Sequence, residues 1–370
     1  MENSMRLLST TMLCLAITCH AAAKPPPHET ATTVMADVNA AGDIVGEISD
    51  EAGRRRAVLS RQGRVTDLGT LGGPESYASA INDAGVIIGA ALDASNAWRA
   101  FRYEPGQGMR DLGTLGGRGS NAIAISSTGF VAGYADVDER DYHAFVHDGR
   151  TMRDLGTLGG RTSYATDVNA AGVVVGAAQN AAGQRRAFVY RPGAGLAKLP
   201  TLGGKAGVAT AVNDHGVVVG ASTTASGHWH AFLHDGTRMV DLGALVPWGH
   251  TYATGISRDG KVVGSVRSGT GAAYAFIYAN GTMKVVPPLS DMGRSAKISD
   301  DGDIVGAVRA GGHYKPVMMA TEQRADAPWK PVDWLTFFSL LPVGLWVLWH
   351  VGRDLRDWWR ERAARRIGLA

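Results

Sequence analysis

The nonapeptide VNAAGDIVG at 38–46 recurs along the chain with little change. It returns as INDAGVIIG (81–89), ISSTGFVAG (125–133), VNAAGVVVG (168–176), VNDHGVVVG (212–220), ISRDGKVVG (256–264) and ISDDGDIVG (298–306). The final glycines, Gly46, Gly89, Gly133, Gly176, Gly220, Gly264 and Gly306, are 43, 44, 43, 44, 44 and 42 residues apart. A period of this constancy means one supersecondary unit used repeatedly. Asn or Ser opens a tight turn through its side chain, and the Gly three residues later supplies the positive φ that closes it. Branched apolar residues flank the turn and predict two antiparallel strands.

A third strand follows about ten residues on, as WRAFRY (98–103), YHAFVH (142–147), RRAFVY (185–190), WHAFLH (229–234) and YAFIY (274–278). A fourth is read in MRDLG (109–113), MRDLG (152–156) and MVDLG (239–243). The heptad DLGTLGG stands at 67–73, 111–117 and 154–160, where one unit ends and the chain bends into the next. Four short strands in about 43 residues match one propeller blade. A single such sheet cannot bury its apolar faces, so neighbours must stack. The expected fold is all-β: a β-propeller-like ring of seven four-stranded repeats over 34–323, which also removes exposed sheet edges. The seventh copy loses its pattern after YKPVMMA, and residues 24–31 or 322–333 are the candidates for its missing strand. An open stack of sheets is the alternative.

The sequence resembles the HAF family of extracellular repeat proteins, named for the His-Ala-Phe that stands here at 143–145 and 230–232. Copies two and four read Arg-Ala-Phe, copy six Tyr-Ala-Phe, and copies one and seven depart further, with RAV at 56–58 and KPV at 315–317. The likeness covers roughly residues 34–320. It implies a repeat fold and an extracellular location, and carries no catalytic residues with it.

The ends of the chain predict the compartment. Arg6, the apolar run Leu7–Ile17 and Ala21-Ala22-Ala23 read as a signal peptide over 1–23. A competing reading makes Cys19 a lipidated N-terminus, but Thr18 stands where a small residue is needed. The only two cysteines, Cys14 and Cys19, lie in this leader, so a mature chain holds neither disulfide nor thiolate metal site. Short linkers are expected at 24–33 and 324–333. Residues 334–351, WLTFFSLLPVGLWVLWHV, contain no Asp, Glu, Lys or Arg and predict a transmembrane helix, with Trp334, Trp346 and Trp349 toward its ends. A buried core helix is the competing reading. The following RDLRDWWRERAARR holds six arginines against three acidic residues, so 352–370 reads as a basic cytoplasmic tail. The repeats are then periplasmic or extracellular, and the helix is the membrane contact. The net charge is only +3, which gives no case for nucleic acid.

Chemistry-bearing motifs are sparse. His228, His230 and His234 share parity on one strand and could bind zinc or copper, yet His230 is the repeat's own histidine and a structural role is preferred. Asp300, Asp301 and Asp303 lack a full calcium pattern. The TLGG pairs are not followed by Lys-Ser/Thr and read as turns rather than phosphate loops. No carboxylate pair stands out from the repeat background, and no cofactor or metal is expected. The loops between second and third strands vary most: ALDASNAW, YADVDERD, STTASGHW and VRSGTGAA at 91–98, 134–141, 222–229 and 266–273. Variable loops on a rigid scaffold are where ligands bind. The expected contacts are Trp98, Asp138, Glu139, Arg140 and Trp229, toward a protein or glycan. The expected function is a membrane-anchored binding or scaffolding module; the alternative is a propeller-based enzyme acting on a polysaccharide or peptidoglycan.

Overall fold

The computed structural model describes residues 33–50, 52–62, 64–243, 249–267, 273–285, 297–298, 304–310 and 313–319. The leader at 1–23, the Asp300-Asp301-Asp303 turn, the apolar stretch at 334–351 and the basic tail lie outside the described residues. Every element within them is a β-strand. Six four-stranded antiparallel sheets follow one another, each a simple meander. They span 33–67, 72–111, 120–154, 159–198, 203–243 and 250–285, and are here blades 1 to 6. A three-stranded sheet comes last, built from Lys297–Ile298, Ile304–Ala310 and His313–Met319. First strands of successive blades run side by side. Fourth strands form the outer edge, and all four residues of Arg64–Asp67 are exposed.

The turns form as the sequence predicts. Asn82 Oδ1 accepts the Val86 amide at 3.0 Å, and the Gly85 amide donates to Asn82 O at 2.9 Å. Gly85, Gly172 and Gly216 stand at φ 77°, 72° and 77°. The other end of each Asn side chain reaches forward. Asn82 Nδ2 donates to Ser126 O at 3.1 Å, Asn169 Nδ2 to Asn213 O at 3.0 Å, and Asn213 Nδ2 to Ser257 O at 3.1 Å. One residue therefore closes its own turn and ties it to the next blade's turn.

A second tie joins blades further along the strands. Ser120 Oγ accepts the Ala100 amide of the preceding blade at 2.9 Å and donates to Gly113 O at 2.6 Å. Ser76, Ser163 and Thr251 repeat this at the other junctions they face. All four are fully or almost fully buried, where an unmet amide would cost more than an exposed one. The first and last residues of the His-Ala-Phe motif have distinct tasks. The first pairs with the Asp of DLG: His143 with Asp154 and His230 with Asp241, both at 2.9 Å, and Arg56 with Asp67 and Arg99 with Asp111, both at 3.0 Å. The last, Phe101, Phe145, Phe188, Phe232 or Phe276, is completely buried. The repeat's final glycine explains itself against that ring. A Cβ at Gly176 would lie 2.1 Å from Tyr164 O and 3.0 Å from the Phe188 ring.

Burial is organised by junction rather than by blade. One apolar cluster joins Val45, Ala57 and Leu59 of blade 1 to Ala78, Ile87 and Phe101 of blade 2. Another joins Ala144 and Val146 of blade 3 to Val174 and Phe188 of blade 4, and the remaining junctions up to blade 6 each have their own. The TLGG glycines sit differently from expectation. In blades 2, 4 and 5 they open a long first strand (Gly72–Ile81, Gly159–Val168, Gly203–Val212), while Gly116 and Gly117 stand before the first strand of blade 3, Ser120–Ile125. Gly73 lies against Leu92 and Asp93 of its own sheet's second strand, where any side chain would collide.

Candidate functional site

Each meander has two ends. One holds the Asn turns. The other holds the loops between second and third strands and the connections between blades: the Gly117 amide donates to Asp136 O at 2.9 Å, and Arg118 Nη2 reaches Ser95 O at 3.2 Å. At this second end, polar and aromatic side chains gather where blades 1, 2 and 3 meet.

Arg55, the first residue of strand Arg55–Arg61, is the centre of the group. Its guanidinium lies 3.6 Å from Glu47 Oε2 in its own blade and 3.4 Å from Glu75 Oε2 in blade 2. The same guanidinium stands over two rings, 5.2 Å from the Tyr77 centroid and 5.3 Å from that of Trp98. Tyr77 and Trp98 tilt against each other at 5.3 Å. Glu75 and Tyr77 are two apart on one strand and so share a face. Burial pushes the Glu47 carboxyl above the usual range, with Arg55 opposing and Glu75 adding to the rise. Burial likewise pushes the Tyr77 phenol up, so its hydroxyl keeps its proton.

Beyond Tyr77 stands Asn121 of blade 3. Its Nδ2 lies 2.7 Å from Tyr77 Oη and 3.3 Å from Tyr134 Oη. Its Oδ1 is buried without a hydrogen-bond partner among the described residues. Turning the amide over would satisfy Oδ1 and orphan Nδ2 instead, since both phenols occupy one end. Either way one buried polar atom is left for a ligand or a water.

Related platforms recur around the blades. Arg185 stands 5.5 Å over Tyr164 in blade 4, and Trp229 stacks on Tyr252 at 6.0 Å across blades 5 and 6. Burial raises the Tyr252 phenol to about 12.

The residues expected from sequence fall into two groups. Trp98 belongs to the Arg55 cluster, and Trp229 to the Tyr252 platform three blades away. Asp138, Glu139 and Arg140 are exposed on the blade 3 loop. Asp138 holds that loop together, its Oδ1 accepting the Arg140 and Asp141 amides at 2.7 and 2.8 Å. The three histidines do not converge. His230 pairs with Asp241, buried His234 caps the Gly236 amide at 3.2 Å, and His228 lies beside His250. Among the described residues no group of three metal-ligating side chains gathers. No carboxylate pair stands out in the sequence, yet Glu47 and Glu75 meet on one guanidinium. Their signal was deviation from the repeat: where Glu47 stands, other copies carry Ala90, Tyr134, Ala177, Ala221 and Ser265.

No protein-family model matches the chain, and no curated protein matches it. Solved structures do. The chain is a β-propeller by fold. It is similar to a puromycin hydrolase (16% identity, TM-score 0.52, covering 82% of this chain and 55% of that one). It is similar also to a puromycin-hydrolyzing peptidase from Mycobacterium tuberculosis (14%, TM-score 0.54, 83% and 54%). A third likeness is to the β-propeller domain of the Trilobed protease from Pyrococcus furiosus, described as having an open velcro topology (12%, TM-score 0.51, 80% and 99%). The chain thus spans about half the length of the two hydrolases, and nearly all of the isolated propeller domain. Identities this low establish the propeller fold and nothing finer.

Proposed function

We propose that this propeller acts in the hydrolysis of a cell-surface polymer, a polysaccharide or peptidoglycan, with Glu47, Arg55 and Glu75 as its working group. The observation that carries the reading is two carboxylates in unequal surroundings, bridged by one guanidinium beside an aromatic pair. Glycoside hydrolysis uses two carboxylic groups in different protonation states. Burial raises the pKa of Glu47, so its carboxyl holds its proton more firmly, as a proton donor needs. Glu75, with more of its side chain open to water, faces the role of base or nucleophile. The Tyr77–Trp98 pair offers a flat apolar surface with a polar edge. The likeness to propellers carried by hydrolases supports the same direction.

A second reading, a binding module without chemistry, has its own support: the platforms at Tyr164–Arg185 and Trp229–Tyr252 repeat the aromatic part without the carboxylates. In that reading Trp98, Asp138, Glu139, Arg140 and Trp229 contact a protein or glycan. Both readings take the protein to be exported, closed as seven blades, and anchored by the helix at 334–351 with the blades outside.

Release of soluble fragments from purified peptidoglycan and from defined polysaccharides separates the two. The hydrolytic reading expects Glu47→Gln to lower release at least ~100-fold while co-sedimentation with the polymer and the melting curve persist. Absence of release by the unaltered protein, with co-sedimentation abolished by Trp98→Ala and Trp229→Ala together, would leave the binding module standing.

A further inference from the structure

Blade 4 breaks the rule that pairs each third strand with its fourth. In blades 1, 2, 3 and 5 the cationic or imidazole side chain before Ala pairs with an aspartate: Arg56–Asp67, Arg99–Asp111, His143–Asp154 and His230–Asp241. Blade 6 has lost both partners together, with Tyr274 and Val285 in the two places. Blade 4 keeps its cation, Arg186, but the register sets Lys198 opposite Phe188, in the place of the aspartate. Arg186 Nε, the atom that meets Asp67 and Asp111 in the equivalent arginines, is buried with no hydrogen-bond partner among the described residues. Its Nη1 has only a long bond to Gly204 O at 3.3 Å. Lys198 is exposed, and so is Lys205 just after Gly204.

The surrounding charge points the same way. Blade 4 holds Arg185, Arg186, Arg191 and Lys198 besides Arg161, which pairs with Asp141 of blade 3 at 2.6 Å, against the single acid Asp167; blades 2, 3 and 5 each hold more acids than bases, and blade 6 shares the basic excess without an arginine before its Ala-Phe. Lys198 stands where four sister blades place the partner carboxylate, so Arg186 lacks its acceptor, and an unmet buried guanidinium N–H is costly. An oxyanion in the vacated carboxylate position would accept from Arg186 and screen it from Lys198. The guanidinium fork suits such a planar or tetrahedral anion.

We propose that the third and fourth strands of blade 4 form an oxyanion site, in which Arg186 and Lys198 hold a carboxylate or phosphate supplied by a ligand in place of the missing aspartate. Such an anion comes either free in solution or as a substituent of an acidic polymer. The site lies outside the Glu47–Arg55–Glu75 group and stands whether or not that group hydrolyses anything.

The decisive variant is Lys198→Asp, which restores the residue used by four sister blades and therefore folds. At constant ionic strength, inorganic phosphate should raise the melting temperature of the unaltered protein by roughly 2–4 °C when well above its Kd. Lys198→Asp should melt higher than the unaltered protein without phosphate and lose the phosphate response. Lys198→Ala should show a reduced response. Retention of the unaltered protein on immobilised polygalacturonate, absent on dextran and lost in Lys198→Asp, would identify a polymer-borne carboxylate; a phosphate response without retention would identify a free anion. A phosphate response equal in the unaltered protein and Lys198→Asp, or no response to either anion, would overturn the site.

Discussion

At the scale of single residues, the repeats act as internal controls on one another. Blade 5 has Gly207 where its sisters have Ser76, Ser120, Ser163 and Thr251, so the junction between blades 4 and 5 lacks the hydroxyl tie. A Cβ at Gly207 would have its nearest neighbours at 3.6 Å, among them the Ala187 amide nitrogen and Ser222 Oγ, so there is room. Gly207→Ser should stabilise by about 1 kcal/mol, from one new buried hydrogen bond and a less flexible unfolded chain; differential scanning calorimetry should show a higher midpoint, and a lower one would deny the tie its role. The same logic gives a pH dependence. Burial lowers the proton affinity of His147 and His234, and each accepts an amide hydrogen at Nδ1, from Gly149 at 3.0 Å and Gly236 at 3.2 Å. Above the free-histidine value of about 6.5 both folded and unfolded chains are neutral there. As pH falls below it the unfolded chain takes up protons that the folded one refuses, so stability declines toward pH 5. Blades 2, 4 and 6 carry Tyr103, Tyr190 and Tyr278 in this place. A His147→Tyr, His234→Tyr protein should therefore show a flatter urea midpoint between pH 7 and 5 than the parent, and parallel profiles would exclude these two histidines as its source.

At the scale of strands and turns, most of the architecture was legible. The Asn-x-x-Gly turns, the His-Ala-Phe strand and the fourth strand of DLG all reflect contacts within some forty residues, and local chemistry specifies them. The forward reach of Asn82 and the backward reach of Ser120 were not legible, because each side chain also serves a neighbouring blade, and only stacking shows that use. The candidate site was hidden for a related reason. Glu47 and Arg55 belong to one copy and Glu75, Tyr77 and Trp98 to the next. Read copy by copy they are isolated deviations. Stacking brings the third strand of one blade against the first strand of its successor, and that offset turns them into one group. Trp98 stands out in the sequence because it ends a loop that varies between copies. Glu47 does not, because it sits inside a strand, opposite Ala57, in a segment that reads as scaffold.

At the scale of the whole molecule, blades and ends make separate claims. The proposal of export with a single anchoring helix rests on the leader at 1–23 and on the arginines that follow residue 351. A phosphatase reporter fused after Ala370 should be silent and a fluorescent reporter fused there should be bright, as cytoplasmic placement requires; the opposite pair of signals would reverse the orientation. Within the blades, the same ties recur with the period. An Asn Nδ2 donates to the turn of the succeeding blade from Asn82, Asn169 and Asn213, and an Ala amide donates to a hydroxyl of the succeeding blade at every junction from blade 1 to blade 6 except that between blades 4 and 5. Two aspartates, Asp37 and Asp167, accept an amide from the blade that follows them. Removal or duplication of one complete period during gene recombination therefore leaves most donors facing an acceptor of the right kind, whereas an excision of half a period orphans both. Near-identical stretches such as DLGTLGG, spaced one period apart, are where such misaligned exchange would begin, so descendants of this chain should differ in length by whole blades.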